Sequence, residues 1–521
     1  MAGARARDRS PSASATRLPE ADALAVGVLP FLALAFHLST AGRYGIFRDE
    51  LYYLACGRHL DFGYVDHPPL VALVARVAGE LFGSSLVGLR LLPALAGAAT
   101  ALVAALLARE LGGRVYAQRL AALCVTLGGN ALFSFQILSM NAFDHLVWAL
   151  CFWLAARALR RTSGGDWLLF GLVAGLGLEN KISVLFLGGG LALGLLLFRR
   201  DVLARAGAWW GAALAALLFA PHVAWQIAHG FPTREFIANA QAYKIAELAP
   251  ARFLFLAGTE GGVASIPVAV AGLVGLFALR RWRPLLPLAA AFVAVLAFLA
   301  LTRSKPYYAA PAFALVFAAG GATLEALGGA WPARLARGAL LATALLGGLV
   351  FAPFGKPLLA PADYVRYSEA LGIRPPPAER SELGRLPQHF ADMHGWPELA
   401  ATVSRVYHSL PAAEQARARV FGQNYGEAGA IDFFGPGLGL PPAISAHNSY
   451  HLWGPGDWTG EVLIVLGDER ERLLELFDEV ELGGRTACTD CMPYENDRPL
   501  WICRRLRMPV AELWPTIKHY I

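Results

Sequence analysis

The feature that most limits what this chain can fold into is its succession of apolar runs, each close to the ~20 residues a helix needs to cross a bilayer. They fall near 22–40, 86–108, 119–139, 143–159, 166–179, 181–198, 207–226, 255–279, 284–302, 306–326 and 337–353. Of the 521 residues 56% are hydrophobic and only 16% are charged, far too apolar a balance for a soluble enzyme of this size. The sequence therefore predicts a polytopic α-helical membrane protein with about eleven transmembrane helices.

Arginines orient those spans. With the N-terminus inside, the inner connections carry Arg109, Arg114 and Arg119, then Arg160 and Arg161, Arg199 and Arg200, Arg280, Arg281 and Arg283, and last Arg334 and Arg337. Every inner loop is then basic, as the positive-inside rule requires. The polar start "MAGARARDRSPSASATRLPE" leads into an apolar run that many others follow, so residues 1–20 read as a disordered cytoplasmic tail and not as a secretory signal. A net charge of +6 is small for this length and gives no reason to expect a nucleic-acid partner. Two spans must share the short stretch "LENK" within 166–198, where a broken pair would change the count.

From about residue 354 prolines cluster in "GIRPPPAER", charges become frequent and no run is long enough to span. Short β-rich pieces ("RVFGQ", "EVLIVLG", "PLWICRR") alternate with helical ones ("PELAATVSRVYHSL", "DERERLLELFDEV"), which predicts a C-terminal α/β domain over 354–521 after a membrane unit over 21–353. An odd number of spans places that domain outside, on the periplasmic face of a bacterial cytoplasmic (inner) membrane; the Ala, Gly, Leu and Arg content fits a GC-rich bacterium. In this domain "CTDC" precedes a third cysteine by twelve residues. An oxidising location favours a disulfide joining Cys503 to Cys488 or Cys491, with half a zinc site as the alternative.

The first outer loop, 41–85, is too long for a simple connector. Asp49 or the residue before it caps a helix through "ELYYLACGRHL", and Pro68-Pro69 starts a second one with Leu70, Leu73, Val74, Val77 and Leu81 on one face. Both helices read as interfacial, a platform at the headgroup level carrying Asp49 and Glu50. Asp144, in "SMNAFDHLVWAL", is a second acid at the outer end of a span, and His145 beside it is a candidate for substrate binding. Such a carboxylate is costly unless paired or functional, although the dipole of a helix start also favours it.

Cations gather on the same side. Lys305 and Arg303 lie in "TRSKPYYAAP", and Lys305 with Tyr307 and Tyr308 suits an anionic lipid headgroup, whereas Arg303 alone reads as snorkelling. Lys181 is a second candidate, with Glu179 its nearest possible partner. Asp66 and His67, before the two prolines, are candidates for substrate or for a divalent metal, although metal-ligand spacing is missing. The stretch 227–254 reads as an amphipathic lid, and Tyr425, Glu427, His447, Asn448, Tyr450, Trp453 and Trp458 form a polar-aromatic mixture that suits sugar stacking as well as an internal network.

Carboxylates and cations over a cavity that meets both lipid and water fit transfer of a sugar from an anionic lipid. A carboxylate takes the proton of an acceptor hydroxyl as it attacks the anomeric carbon, and a cation stabilises the phosphate that leaves. The sugar between them becomes oxocarbenium-like, and one attack from the face opposite the phosphate inverts the anomeric centre.

The segments "FRDELYY", "DHPPL", "SMNAFDHLVW", "GLGLENKISVLFL" and "SKPYYAAPAF" resemble, in order and spacing, the signature segments of glycosyltransferase family 39 in the membrane GT-C fold. That family includes protein O-mannosyltransferases and bacterial lipid A aminoarabinose transferases. The C-terminal segments "ADMHGWPELAATVSRVY" and "NYGEAGAIDFFGPGLGLPPAISAHNSYHLWGP" resemble those of bacterial members too. The resemblance implies Asp49 as catalytic base beside Glu50, and Asp144 as the second acid that orients donor or acceptor. It implies a polyprenyl-phosphate-linked sugar donor, membrane lipids as surroundings, and a glycolipid, polysaccharide or protein acceptor. No cofactor is required; a divalent metal is compatible. Where the aminoarabinose transferases carry an acidic-lysine pair before two prolines, this chain has Asp66-His67, which leaves the phosphate charge to Lys305 or Lys181. The rival reading, a lipid-linked sugar transporter or flippase, predicts midplane charges and inverted repeats that the sequence does not display.

Overall fold

The computed structural model describes residues 18–374 and 379–521. The expected tail, up to residue 17, and part of the proline cluster lie outside that range. The chain begins with a π turn, Leu24–Val28, running into α1 (Leu29–Leu38), and then forms the two loop helices, α2 (Arg48–Arg58) and α3 (Leu70–Phe82). The membrane half continues with α4 (Leu86–Glu110), the pieces α5 (Val115–Thr126) and α6 (Gly129–Ser134), α7 (Met140–Arg161), α8 (Gly164–Leu178) and α9 (Val184–Phe198).

Every apolar run becomes helical, but not every run is one long helix. Six helices among the described residues are long and apolar enough to cross a membrane: α4, α7, Ala206–Ala228, Arg280–Leu301, Pro306–Glu325 and Trp331–Gly355. Helices Leu24–Leu38, α8 and α9 are shorter. The runs at 119–139 and 255–279, each expected as a single span, are both broken. The second bends by 94° between Pro250–Gly261 and Val263–Ala278. The two breaks meet: a Cβ on Gly129 would lie 2.7 Å from the Thr259 carbonyl oxygen, and one on Gly128 3.1 Å from that of Gly261. Gly262, at φ +109°, takes a backbone conformation that a side chain would strain. Glycine on both sides lets main chain touch main chain, and this contact replaces helix continuity.

The C-terminal domain is built on a five-stranded sheet of order β2-β1-β3-β5-β4: β1 (Ala418–Phe421), β2 (Ala443–Ile444), β3 (Val462–Leu466), β4 (Phe477–Arg485) and β5 (Pro499–Leu506). β1 pairs parallel with β2 and β3, with Val420 opposite Ala443 and Ile464, while β5 lies antiparallel between β3 and β4. The three predicted strand pieces are β1, β3 and β5, and "PELAATVSRVYHSL" lies in the helix Trp396–Ser409. "DERERLLELFDEV" is helical only over Arg470–Leu476; from Phe477 it is strand, because Phe477 and Val480 turn into the sheet core and the chain pairs with β5.

Loop 41–85 and this domain share one hydrophobic core. Leu51, Tyr52, Tyr53 and Cys56 of α2 pack in one cluster with Trp396, Val403, Val420, Tyr425 and Ile431. Helix Tyr425–Phe434 lies directly on α2, since a Cβ on Gly429 would come within 2.9 Å of Leu51 Cβ and one on Gly426 would collide with the Arg48 stem. This corrects the interfacial reading of α2, which is buried beneath the domain. In α3, Ala72, Ala75 and Ala78 pack inward while Leu73, Val77 and Leu81 stay exposed, the stripe expected of a surface that meets lipid. The cap of α2 is Phe47, not Asp49 or Arg48, and its amide donates to the Glu50 carboxylate at 2.9 Å.

Candidate active site

Consecutive residues on a helix point about 100° apart, and this separates Asp49 from Glu50. Glu50 turns into the protein with no exposed surface. Its Oε1 accepts from Arg90 Nε at 3.0 Å and from the Leu138 amide at 2.8 Å; its Oε2 accepts from Arg90 Nη2 at 2.8 Å and from the Phe47 amide. With four hydrogen bonds from three residues and a fully buried counter-ion, Glu50 ties α2 to α4 and has no oxygen free for an acceptor. The structure does not bring it to the site of Asp49.

Asp49 keeps an open face. Its side chain is 32% exposed, and the Tyr425 hydroxyl donates to Oδ1 at 2.9 Å. Arg48 Nε lies 3.9 Å from the same oxygen. That guanidinium packs over the Tyr425 ring, donates to the Tyr494 hydroxyl at 2.8 Å and lies 3.9 Å from Asp392. Burial, against the pull of Arg48, pushes the Asp392 carboxyl up to about 6.

A second charged cluster lies within electrostatic reach of Asp49. Lys305 Nζ donates to Glu379 Oε1 at 2.7 Å, and Lys244 Nζ lies 3.8 Å from the same oxygen. Gln388 donates to Glu379 Oε2 at 3.1 Å. Lys244 comes from the expected lid, which crosses to the C-terminal domain through an antiparallel bridge between Ile245 and Glu379 and the hydrogen bond from the Arg380 amide to the Lys244 carbonyl at 3.0 Å. Burial alone would raise the Glu379 carboxyl, but Lys305 and Lys244 outweigh it and hold the group well below the usual carboxylate range. Burial pulls Lys244 down; at Lys305 the same penalty is exceeded by Glu379, which holds the ammonium above its ordinary value. The Asp49 carboxylate adds to the field at both lysines.

Asp144 is buried and pairs across helices. Lys181 Nζ is 3.4 Å from its Oδ2, and the Ser183 hydroxyl donates to its Oδ1 at 2.6 Å. Lys181 therefore pairs with Asp144 and not with Glu179, because its ammonium reaches back to α7, where it also donates to Asn141 Oδ1 at 2.7 Å. It lies over the rings of Tyr308 at 4.9 Å and Tyr307 at 5.8 Å, so the tyrosines after Lys305 connect the two lysine clusters. His145, one residue on, faces Asn130 instead, with Nε2 3.0 Å from its oxygen. Arg303 is exposed and pairs with Glu247 at 3.1 Å; Glu247 also lies 3.7 Å from Arg380, so this surface pair borders the Lys305–Lys244–Glu379 cluster without entering it.

Asp66 accepts from the Tyr52 hydroxyl at 2.8 Å, and Tyr52 stacks on Tyr425, which places Asp66 behind the aromatic wall of the site. Burial raises the Asp66 carboxyl and lowers the His67 imidazole. His67 stacks on Tyr64, with Nδ1 2.8 Å from the Pro68 carbonyl and Nε2 3.6 Å from the Cys56 sulfur. Both ring nitrogens are engaged, and among the described residues no three His, Cys, Asp or Glu side chains converge as metal ligands. This arrangement does not support His67 and Asp66 as a metal pair.

Cys488 and Cys491 are bonded to each other, while Cys503 is free and buried in β5 opposite Leu463. The expected bridge to Cys503 fails because that residue points into the sheet core with Trp458 and Leu473. Of the polar-aromatic set, Tyr425 meets Asp49 directly. Glu427 pairs inside with Arg498 at 3.2 Å, Tyr450 donates to Asp432, and Trp458 is core. Lys244, Glu379 and Asp392 escaped sequence reasoning. A lone lysine in an amphipathic lid was a usable signal; Glu379, directly after the proline run, carried none.

The family model described as dolichyl-phosphate-mannose-protein mannosyltransferase matches residues 66–225. The lipid A galacturonosyltransferase RgtD of Rhizobium johnstonii is 33% identical over 190 residues, which cover 35% of this chain and 39% of that protein. The match thus spans about two fifths of that curated relative's length. Among solved structures, ArnT from Cupriavidus metallidurans bound to undecaprenyl phosphate superposes with a TM-score of 0.60 at 16% identity, covering 91% of this chain and 97% of that one. The oligosaccharyltransferase of Archaeoglobus fulgidus does so at 0.51 and 13% identity, over 80% and 63%. The fold is the GT-C fold, and over residues 66–225 the sequence match agrees with the resemblance drawn from "DHPPL", "SMNAFDHLVW" and "GLGLENKISVLFL".

Proposed function

We propose that this GT-C membrane protein is an inverting glycosyltransferase that moves a sugar from a polyprenyl-phosphate-linked donor to a hydroxyl acceptor at the outer face of the bacterial cytoplasmic membrane, beneath an extracytoplasmic C-terminal domain. One arrangement carries the reading: an open carboxylate, Asp49, held by Tyr425 and Arg48, occurs together with two partly buried lysines, Lys305 and Lys244, that converge on a single Glu379 oxygen. The relatives support it, since one is a lipid A galacturonosyltransferase by name and another was solved with undecaprenyl phosphate.

In this reading Asp49 accepts the proton of the acceptor hydroxyl while the new glycosidic C–O bond forms and the anomeric C–O bond to phosphate breaks. Tyr425 and Arg48 hold the carboxylate in place. Lys305 and Lys244 stabilise the phosphate oxygen on which charge develops. The Lys181–Asp144 pair, behind Tyr307 and Tyr308, orients the lipid phosphate from the other side. The step needs no cofactor, and a divalent metal requirement is tested by chelation. A glycolipid acceptor comes first; a polysaccharide or a protein hydroxyl follows.

The test uses purified full-length protein in detergent, a panel of polyprenyl-phosphate sugars and a membrane extract as acceptor. Release of free polyprenyl phosphate by wild type, lost in a folded Asp49→Asn variant, is the expected result. Donor movement across vesicles without release would favour a flippase instead.

A further inference from the structure

Glu379 is a surplus at a site meant to hold phosphate. Two lysines converge on one of its oxygens, at 2.7 and 3.8 Å, and it lies on the segment that bridges the lid to the C-terminal domain. It stays ionised, since the lysines more than offset its burial. A fixed anion on phosphate-binding cations lowers affinity for any anionic ligand, and the Coulomb penalty grows in proportion to ligand charge. On the reading above, the two ligands of this site differ in that respect. The sugar donor is a phosphodiester with one negative charge; the product left by transfer is a phosphomonoester with nearly two, its second pKa being near ~6.

We propose that Glu379 is a charge-discriminating residue: its carboxylate matches the Lys305–Lys244 pair to the singly charged donor and weakens its hold on the doubly charged polyprenyl phosphate, so that product leaves and donor re-enters. The proposal rests on the assignment of these lysines to the donor phosphate. It makes Glu379 a positioning residue that sets the charge of the site without touching the sugar. Gln388, which donates to its other oxygen, keeps the carboxylate aimed at the lysines.

The experiment measures binding of a polyprenyl phosphate and of its methyl phosphodiester to the full chain in detergent, at about pH 8, where the monoester is doubly charged. Glu379→Gln keeps the shape and the Lys305 contact but removes the charge. It is expected to tighten the diester about fivefold and the monoester by the square of that, about 25-fold. Glu379→Asp keeps the wild-type ratio of the two affinities. Equal gains for both ligands, or no gain, overturn the proposal. Lys305→Gln reads the underlying assignment separately: loss of both ligands upholds the phosphate site whatever Glu379 does, and unchanged binding of both removes the site and the proposal together.

Discussion

Glu50 and Arg90 form an ion pair with essentially no solvent contact, and that pair is one residue away from the exposed carboxylate of Asp49. Removing one partner of a buried pair leaves the other uncompensated, at a cost of about 3–5 kcal/mol. Glu50→Gln should therefore lower the midpoint of thermal unfolding in detergent sharply. Asp49→Asn should leave the midpoint nearly unchanged and abolish sugar transfer. If the two variants behaved alike in both assays, the division of labour within α2 would be wrong.

Tyr425 donates to Asp49 from the C-terminal domain. A hydrogen bond to a charged group contributes about 1.5–3 kcal/mol, so Tyr425→Phe should slow transfer roughly tenfold or more. Because the hydroxyl acts through Asp49, the double variant with Asp49→Asn should be no slower than Asp49→Asn alone. Additive losses would assign Tyr425 an independent role.

Asp392 gives a pH dependence with a definite sign. Its folded value, about 6, lies above the ordinary 3.8, so the folded state holds this proton more tightly than the unfolded chain does. The contribution to stability is fully present below 3.8 and is lost as pH rises to about 6. Asp392→Asn should remove this decline from the pH profile of unfolding. It should also remove an acid limb near the same pH from the transfer rate, since protonation of Asp392 leaves Arg48 to press on Asp49 alone.

Docking of the C-terminal domain depends on two glycines against α2. Gly429→Leu places bulk where a Cβ alone meets Leu51 at 2.9 Å, so helix Tyr425–Phe434 must lift away. Limited proteolysis should then cut between membrane half and domain faster than in wild type, with transfer lost. Gly437→Ala, where nothing lies within 4 Å, serves as the control and should change neither.

Cysteine pairing is checked by alkylation and mass spectrometry without reductant. Cys488 and Cys491 should resist alkylation in the unfolded chain, while Cys503 reacts only after unfolding. A mass consistent with Cys503 in a bridge would contradict the arrangement.

The membrane half was legible in outline because apolar periodicity and arginine placement are local signals, and the acids and cations of the site announced themselves by type in an apolar setting. What stayed hidden depends on partners distant in sequence. Nothing in "FRDELYY" says which carboxylate is buried; Arg90, forty positions after Glu50, decides it. Lys181 chose Asp144 over the adjacent Glu179 through a contact between helices. The breaks at 128–129 and 261–262 were visible as Gly-Gly pairs but unreadable without knowing that they meet. Cys503 reads as a bridge partner until β5 places it inside a sheet.

Those two breaks also bear on how the chain is assembled. A helix entering a bilayer satisfies its own main-chain polar groups, whereas a sharp bend leaves some unsatisfied until another segment meets them. The Gly128–Gly129 turn is synthesised well before the bend at Gly262. The main-chain contact between the two breaks therefore forms only once both segments have been made. Stable integration of the earlier break is thus tied to completion of the later one, and a chain truncated between them should hold the 119–139 run poorly in the bilayer.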